Sequence, residues 1–202
     1  MMINTFPIWP GLRRHALPLS FALMAVVAAA AGERAGEWLR YERGQIFNGE
    51  IWRLFTAHFV HLGWSHLLMN LAALALIWML FGRMLSQSAW IVVCLASMLG
   101  VSLGLLLFSP SIGWYVGLSG MLHGLFAAGV IASLRAGNRL EIILLLLLLG
   151  KLVWEQIYGP LPGTAEFAGG AVVTDAHLYG AVSGFVAVLV CMLAKGGGGR
   201  ST

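Results

Sequence analysis

The chain has 202 residues, of which 59% are hydrophobic and only 10% are charged, and its mean hydropathy is +0.86. This composition excludes an ordinary water-soluble domain and leaves room for about six spans of roughly 20 residues with short connections. The formal net charge of +4 comes from bases dispersed at segment ends, without the basic face a nucleic acid would need, so they read as topology signals and no nucleic-acid partner is expected.

Apolar runs near bilayer length occur at about 16–31, 56–81, 88–108, 117–134, 139–157 and 173–194. They predict an all-α, six-span membrane bundle occupying 1–202 as a single domain, with the lipid bilayer as its surroundings. The first run is short and follows Arg13 and Arg14; it reads as a span rather than a signal peptide, because no clear small-x-small cleavage site precedes a soluble remainder. The connection 32–55 carries Trp38, Tyr41 and Trp52 among mixed charges and predicts an interfacial, partly helical loop between spans one and two. Segments 109–116 and 159–170 read as loops from their Pro and Gly, and 195–202, KGGGGRST, as a flexible tail. Cys94 and Cys191 sit in separate apolar runs, which provides neither a disulfide framework nor a metal-ligand spacing.

Placing the N-terminus in the cytoplasm puts Arg13, Arg14, Arg83, Arg135, Arg139, Lys195 and Arg200 on the inner face, against the single acid Glu141. The outer face then holds Arg34, Arg40, Arg43, Arg53 and Lys151 with the seven other acids. This satisfies the positive-inside rule and predicts that both termini are cytoplasmic.

In that orientation spans two, four and six run inward. His58, His61, His66 and Asn70 fall in the outer half of span two, Ser119 and His123 open span four, and Asp175 and His177 open span six. Five of the six histidines therefore share one outer layer, and polar residues gathered inside a membrane predict a functional site. His66 and Asn70, spaced i, i+4, share a helix face, whereas His61 is expected to point elsewhere. Ser119 and His123 are also i, i+4, and a helical histidine leans back toward the serine. Gly117 and Gly120 permit a sharp turn beside Ser119, and Gly180 and Gly184 form a small-xxx-small pair that lets a neighbouring helix approach. If that neighbour is span four, His177 is carried toward Ser119. A serine, a histidine base and separate oxyanion donors suffice for acyl transfer.

Bland alternatives exist for each motif. Ser119 could be a helix cap, the glycines simple packing residues, and Arg53 a surface anchor or a hydrogen-bonding partner within its loop. Asp175 is two residues from His177 and does not share its helix face. No HExxH occurs and no matched histidine pair stands on facing spans, which disfavours zinc-protease and dihaem readings.

Taken together, Glu50-Ile-Trp-Arg-Leu-Phe, His61-x4-His66-x3-Asn70, Gly117-Leu-Ser119-Gly120 and Ala176-His177-x2-Gly180-x3-Gly184 resemble the rhomboid intramembrane serine proteases. The resemblance runs in order from about residue 50 to 185. It implies Ser119 as nucleophile and His177 as general base in a dyad without an acidic third member. It further implies an oxyanion site from His66, Asn70 and the Ser119 backbone N–H, a loop-ordering His61, a Gly180/Gly184 face packed on span four, and no metal or organic cofactor. Many rhomboids carry a tyrosine where this chain has His123. That departure, with the compact chain and the GLSGxLHG form, resembles the rhombosortase branch. The branch implies bacterial inner-membrane substrates bearing a C-terminal Gly-rich motif and a transmembrane segment, cut on the periplasmic side. From spacing alone either His123 or His177 could be the base. The rival functions are a non-catalytic binder of client transmembrane helices and a proton-coupled transporter.

Overall fold

A computed structural model of the chain describes residues 10–197, with side chains described for 14–194. The side chains of Arg13 and Lys195, and Arg200 altogether, fall outside these, as does the tail beyond residue 197. The helix α1 (Pro10–Ala30) is followed by a compact segment of short pieces: α2 (Gly32–Leu39), β1 (Tyr41–Glu42), α3 (Arg43–Phe47), α4 (Arg53–Thr56) and a 3-10 turn (Ala57–Phe59). The long helices α5 (Trp64–Phe81) and α6 (Gln87–Phe108) come next, then β2 (Trp114–Tyr115), α7 (Ser119–Arg135), α8 (Glu141–Tyr158), the short α9 (Thr164–Ala168) and α10 (Thr174–Gly197).

Of these, α5, α6 and the Thr174–Ala194 stretch of α10 are long and apolar enough to cross a membrane. Six spans are expected, and among the described residues three helices meet the length and composition of a crossing. Arg14–Ala30 is shorter, α7 has only 17 residues, among them three glycines and two serines, and α8 carries Glu141, Lys151 and Glu155. Boundaries also shift. The run 56–81 becomes a helix only from Trp64, after the 3-10 turn and Gly63. The segment 159–170 contains α9 between two left-handed glycines, Gly163 and Gly169, and α10 continues to Gly197, into the stretch expected to be a flexible tail.

The centre of the bundle is α7, whose Gly120, Gly124, Ala127, Ala128 and Ala132 are buried. Small side chains let its neighbours come close. A Cβ at Gly180 or Gly184 of α10 would run into the backbone carbonyl of Gly120 or Gly124, respectively, so the two helices touch backbone to backbone. The larger core side chains, Met121 and Leu125 of α7, Trp90 of α6 and Phe81 of α5, are almost fully buried.

The connection between α1 and α5 is tied to the loop preceding α7 by an antiparallel β1–β2 pair, with Tyr41 opposite Tyr115 and Glu42 opposite Trp114. Arg53 is buried at its centre. Its Nη1 donates to the carbonyls of Glu37 and Arg40, both at 2.8 Å, and its Nε donates to Glu50 at 2.6 Å. A buried guanidinium requires such a set of acceptors, and here they fold the segment back on itself next to the site.

Candidate active site

The site begins at Gly117. Its φ of +117° lies in the left-handed region, and a Cβ there would come within 2.8 Å of His66 Cε1, so only glycine fits. Its N–H donates to Ala57 O at 3.1 Å and its carbonyl accepts from Tyr115 Oη at 2.7 Å. Burial pushes the Tyr115 phenol up to about 12, which keeps it a donor over the working pH range. With both polar groups of Gly117 pinned, the chain enters α7 in a fixed direction.

Ser119 is the first residue of α7. Its backbone N–H therefore has no intrahelical acceptor and points with the positive end of the helix dipole. Its hydroxyl donates to His177 Nε2 at 3.0 Å, because the Gly180 and Gly184 contacts hold the first turns of α10 against those of α7. His177 is buried.

Behind His177 stands a residue the sequence motifs did not single out. His177 Nδ1 lies 2.9 Å from Glu155 Oε2, and Glu155 is itself only 2% exposed. The resemblance implies a dyad with no acidic third member; the structure nevertheless puts a carboxylate against His177, from α8 and not from beside it in sequence. Asp175 pairs instead with Ser109 at the far end of α6. Lys151, one turn before Glu155, reaches Glu155 Oε1 at 2.6 Å and His123 Nε2 at 3.0 Å. The charge distribution of the sequence assigns Lys151 and Glu155 only to the outer face. Their i, i+4 placement inside an otherwise apolar run was the available signal.

His123 does not contact the Ser119 hydroxyl. Its Nδ1 donates to the Ser119 carbonyl at 2.7 Å, and its ring stacks on His177 with centroids 4.1 Å apart and planes inclined by 17°. With Nε2 accepting from Lys151, both its nitrogens are engaged, and of the two histidines it is His177 whose ring nitrogen meets the Ser119 hydroxyl.

His66 and Asn70 project from α5 toward Gly117, with His66 Nε2 and Asn70 Nδ2 at 3.0 Å and 3.7 Å from the position its Cβ would take. His66 Nδ1 accepts from Leu62 N–H at 3.4 Å, which leaves the proton on Nε2, facing the site. Asn70 Nδ2 is buried without a hydrogen-bond partner. A buried unpaired donor is uncommon, and here it lies beside the turn at Gly117 that leads into Ser119. His61 lies in the loop before α5, so helical spacing does not govern it. Contrary to the expectation that it points elsewhere, its ring packs edge-on against His66 at 5.0 Å, while Nδ1 donates to Phe59 O at 3.1 Å. His58 is fully buried and bonds Met98 O and Ser102 Oγ on α6 at 3.1 Å and 3.3 Å, a structural clamp. A cavity of about 210 Å³ opens onto Ser119 and His66 between the β2 loop and residues 171–173.

The ligand-type atoms of His123, Glu155 and His177 lie within 4.8 Å of one another. The Lys151 ammonium already contacts two of those residues, so a metal cation there would meet a fixed positive charge.

The rhomboid domain pattern matches residues 48–194. The chain belongs to the rhomboid family. Among curated proteins, this rhomboid is 27% identical over 155 residues to the "Putative rhomboid protease YdcA" of Bacillus subtilis (strain 168), an alignment covering 74% of this chain and 72% of the relative. The matched region contains the whole polar cluster from Arg53 to Gly184 and excludes α1, which fits a site assembled from α5, α7, α8 and α10.

Proposed function

We propose that this rhomboid is an intramembrane serine endopeptidase that cuts membrane-anchored proteins near the outer membrane face, with Ser119 as nucleophile and His177 as general base. The 3.0 Å contact between Ser119 Oγ and His177 Nε2 carries the reading, and the family supports it. Ser119 Oγ attacks the scissile carbonyl as its proton passes to His177 Nε2. The resulting oxyanion receives hydrogen bonds from His66 Nε2, Asn70 Nδ2 and the Ser119 N–H. Collapse breaks the C–N bond, with the Nε2 proton going to the leaving amine, and water entering through the outer loops resolves the acyl-enzyme by the same route in reverse. Every proton and electron pair is accounted for without a cofactor.

The same reading takes the bundle as six crossings of a bacterial inner membrane, with cytoplasmic termini and the site on the periplasmic side. The polar residues of α7 and α8 are compatible with crossing because they are paired with one another inside the bundle. His123, four residues after Ser119 and stacked on His177, favours the rhombosortase branch and substrates with a C-terminal Gly-rich junction before a transmembrane anchor. Such a junction suits the chemistry, since a peptide bond within a stable helix has its carbonyl bonded and shielded.

The test is fluorophosphonate labelling of the purified wild-type, Ser119→Ala and His123→Phe forms, with the adduct located by mass spectrometry. Labelling at Ser119 that disappears in Ser119→Ala and persists in His123→Phe is expected. Folded wild-type protein that takes no label beside a labelling rhomboid control would move a non-catalytic helix-binding role to first place.

A further inference from the structure

From Ser119 a continuous chain of contacts leaves by the side chain and returns to the same residue by its backbone. It runs from Ser119 Oγ to His177, Glu155, Lys151 and His123, then to the Ser119 carbonyl, with separations of 3.0, 2.9, 2.6, 3.0 and 2.7 Å. We propose that Glu155 is a positioning residue of the reaction, holding His177 in its working tautomer, with Lys151 offsetting its charge. This rests on the reading of Ser119 and His177 as nucleophile and base.

The chemistry of a neutral imidazole requires the assignment. For Nε2 to accept the serine proton, the ring hydrogen must sit on Nδ1. Glu155 Oε2 is an acceptor-only partner at that nitrogen, so it selects this tautomer and fixes the ring plane, and the stacked His123 ring supports the same plane from one side. When Nε2 is protonated, the Nδ1–H stays on the ring and the carboxylate faces the new imidazolium; no proton moves to Glu155. A carboxylate that is 2% exposed would be costly alone, and the Lys151 ammonium offsets part of that cost. Lys151 is held in turn by His123, whose own orientation is set by the carbonyl of the nucleophile.

A purely structural role is the competing explanation: an ion pair that stitches α8 to α10 through His177. The two explanations separate because a buried pair serving only stability can usually be replaced by apolar residues of similar size without loss, whereas a tautomer-selecting carboxylate cannot. The measurement uses the full-length chain in detergent, the fluorophosphonate probe, and the separation of the maximal labelling rate from the probe's half-saturating concentration. Glu155→Gln is expected to lower the maximal rate by ~10²- to 10³-fold with half-saturation unchanged. The double variant Lys151→Met/Glu155→Leu is expected to match the wild-type melting temperature while remaining as slow as Glu155→Gln. A double variant that labels within about threefold of wild type, when a triad acid would cost orders of magnitude, overturns the proposal. So does outright unfolding of both variants, which would make the pair a determinant of the fold. Failure of the underlying reading looks different: wild-type protein would then take no label, or Ser119→Ala would keep it.

Discussion

At Asn70 the amide nitrogen is buried and unpaired, and at His66 the Nδ1 contact with Leu62 leaves an Nε2–H facing the same place. Unpaired donors held rigidly in a dry site stabilise developing charge without having to reorganise. Asn70→Ala and His66→Ala are each expected to slow phosphonylation of Ser119 by ~10²-fold, with little change in melting temperature. Labelling time courses on matched, folded samples check this; a normal rate in both variants would remove them from the oxyanion site. Gly117→Ala should be more damaging to both properties, because it forces a side chain into the left-handed region and into His66. At this scale much of the site was legible, since Ser119, His66, Asn70 and His177 stand out against an apolar background. Glu155 was only partly legible: its i, i+4 spacing from Lys151 within an apolar run marks a pair, but nothing in the local sequence of α8 says which helix it faces.

Between elements, the decisive contact is α7 against α10. Because a Cβ at Gly184 would meet the Gly124 backbone rather than a flexible side chain, relief requires moving a whole helix, and moving α10 carries His177 away from Ser119. Gly184→Leu is therefore expected to destabilise the protein by at least ~1–3 kcal/mol and to abolish labelling. Gly150→Leu on α8, where a Cβ meets open space, should do neither. Thermal unfolding of the two variants with parallel labelling distinguishes this from a general intolerance of leucine. The small-xxx-small spacing predicts a close neighbour for α10, but only the family resemblance implies that this neighbour is span four. Less readable were the short elements: α9 hides among glycines and prolines, and the start of α5 is set by Gly63 and the 3-10 turn rather than by the end of an apolar run. The segment from α2 to α4 is held by one buried arginine and a two-residue strand pair, interactions that span the sequence and leave only a faint local trace.

For the whole molecule the question is which way the site faces. The proposed orientation has the α7–α8 connection inside and the loop before α7 outside, and the cavity beside Ser119 is bordered by that loop. In that orientation an extended, helix-poor segment of a substrate reaches Ser119 from the periplasm, and the α7–α8 turn never meets that compartment. Two exposed positions report on the two sides: Ser111 in the loop and Ala136 after α7. In a background where Cys94 and Cys191 are replaced by alanine, Ser111→Cys is expected to react with a membrane-impermeant maleimide in intact spheroplasts, and Ala136→Cys only after the membrane is opened. The reverse pattern would put the serine on the cytoplasmic side and exclude periplasmic substrates. Reaction at both positions in intact cells would instead mean that α7 does not cross, and the bundle would have fewer crossings than the paired charges of α7 and α8 are arranged to support.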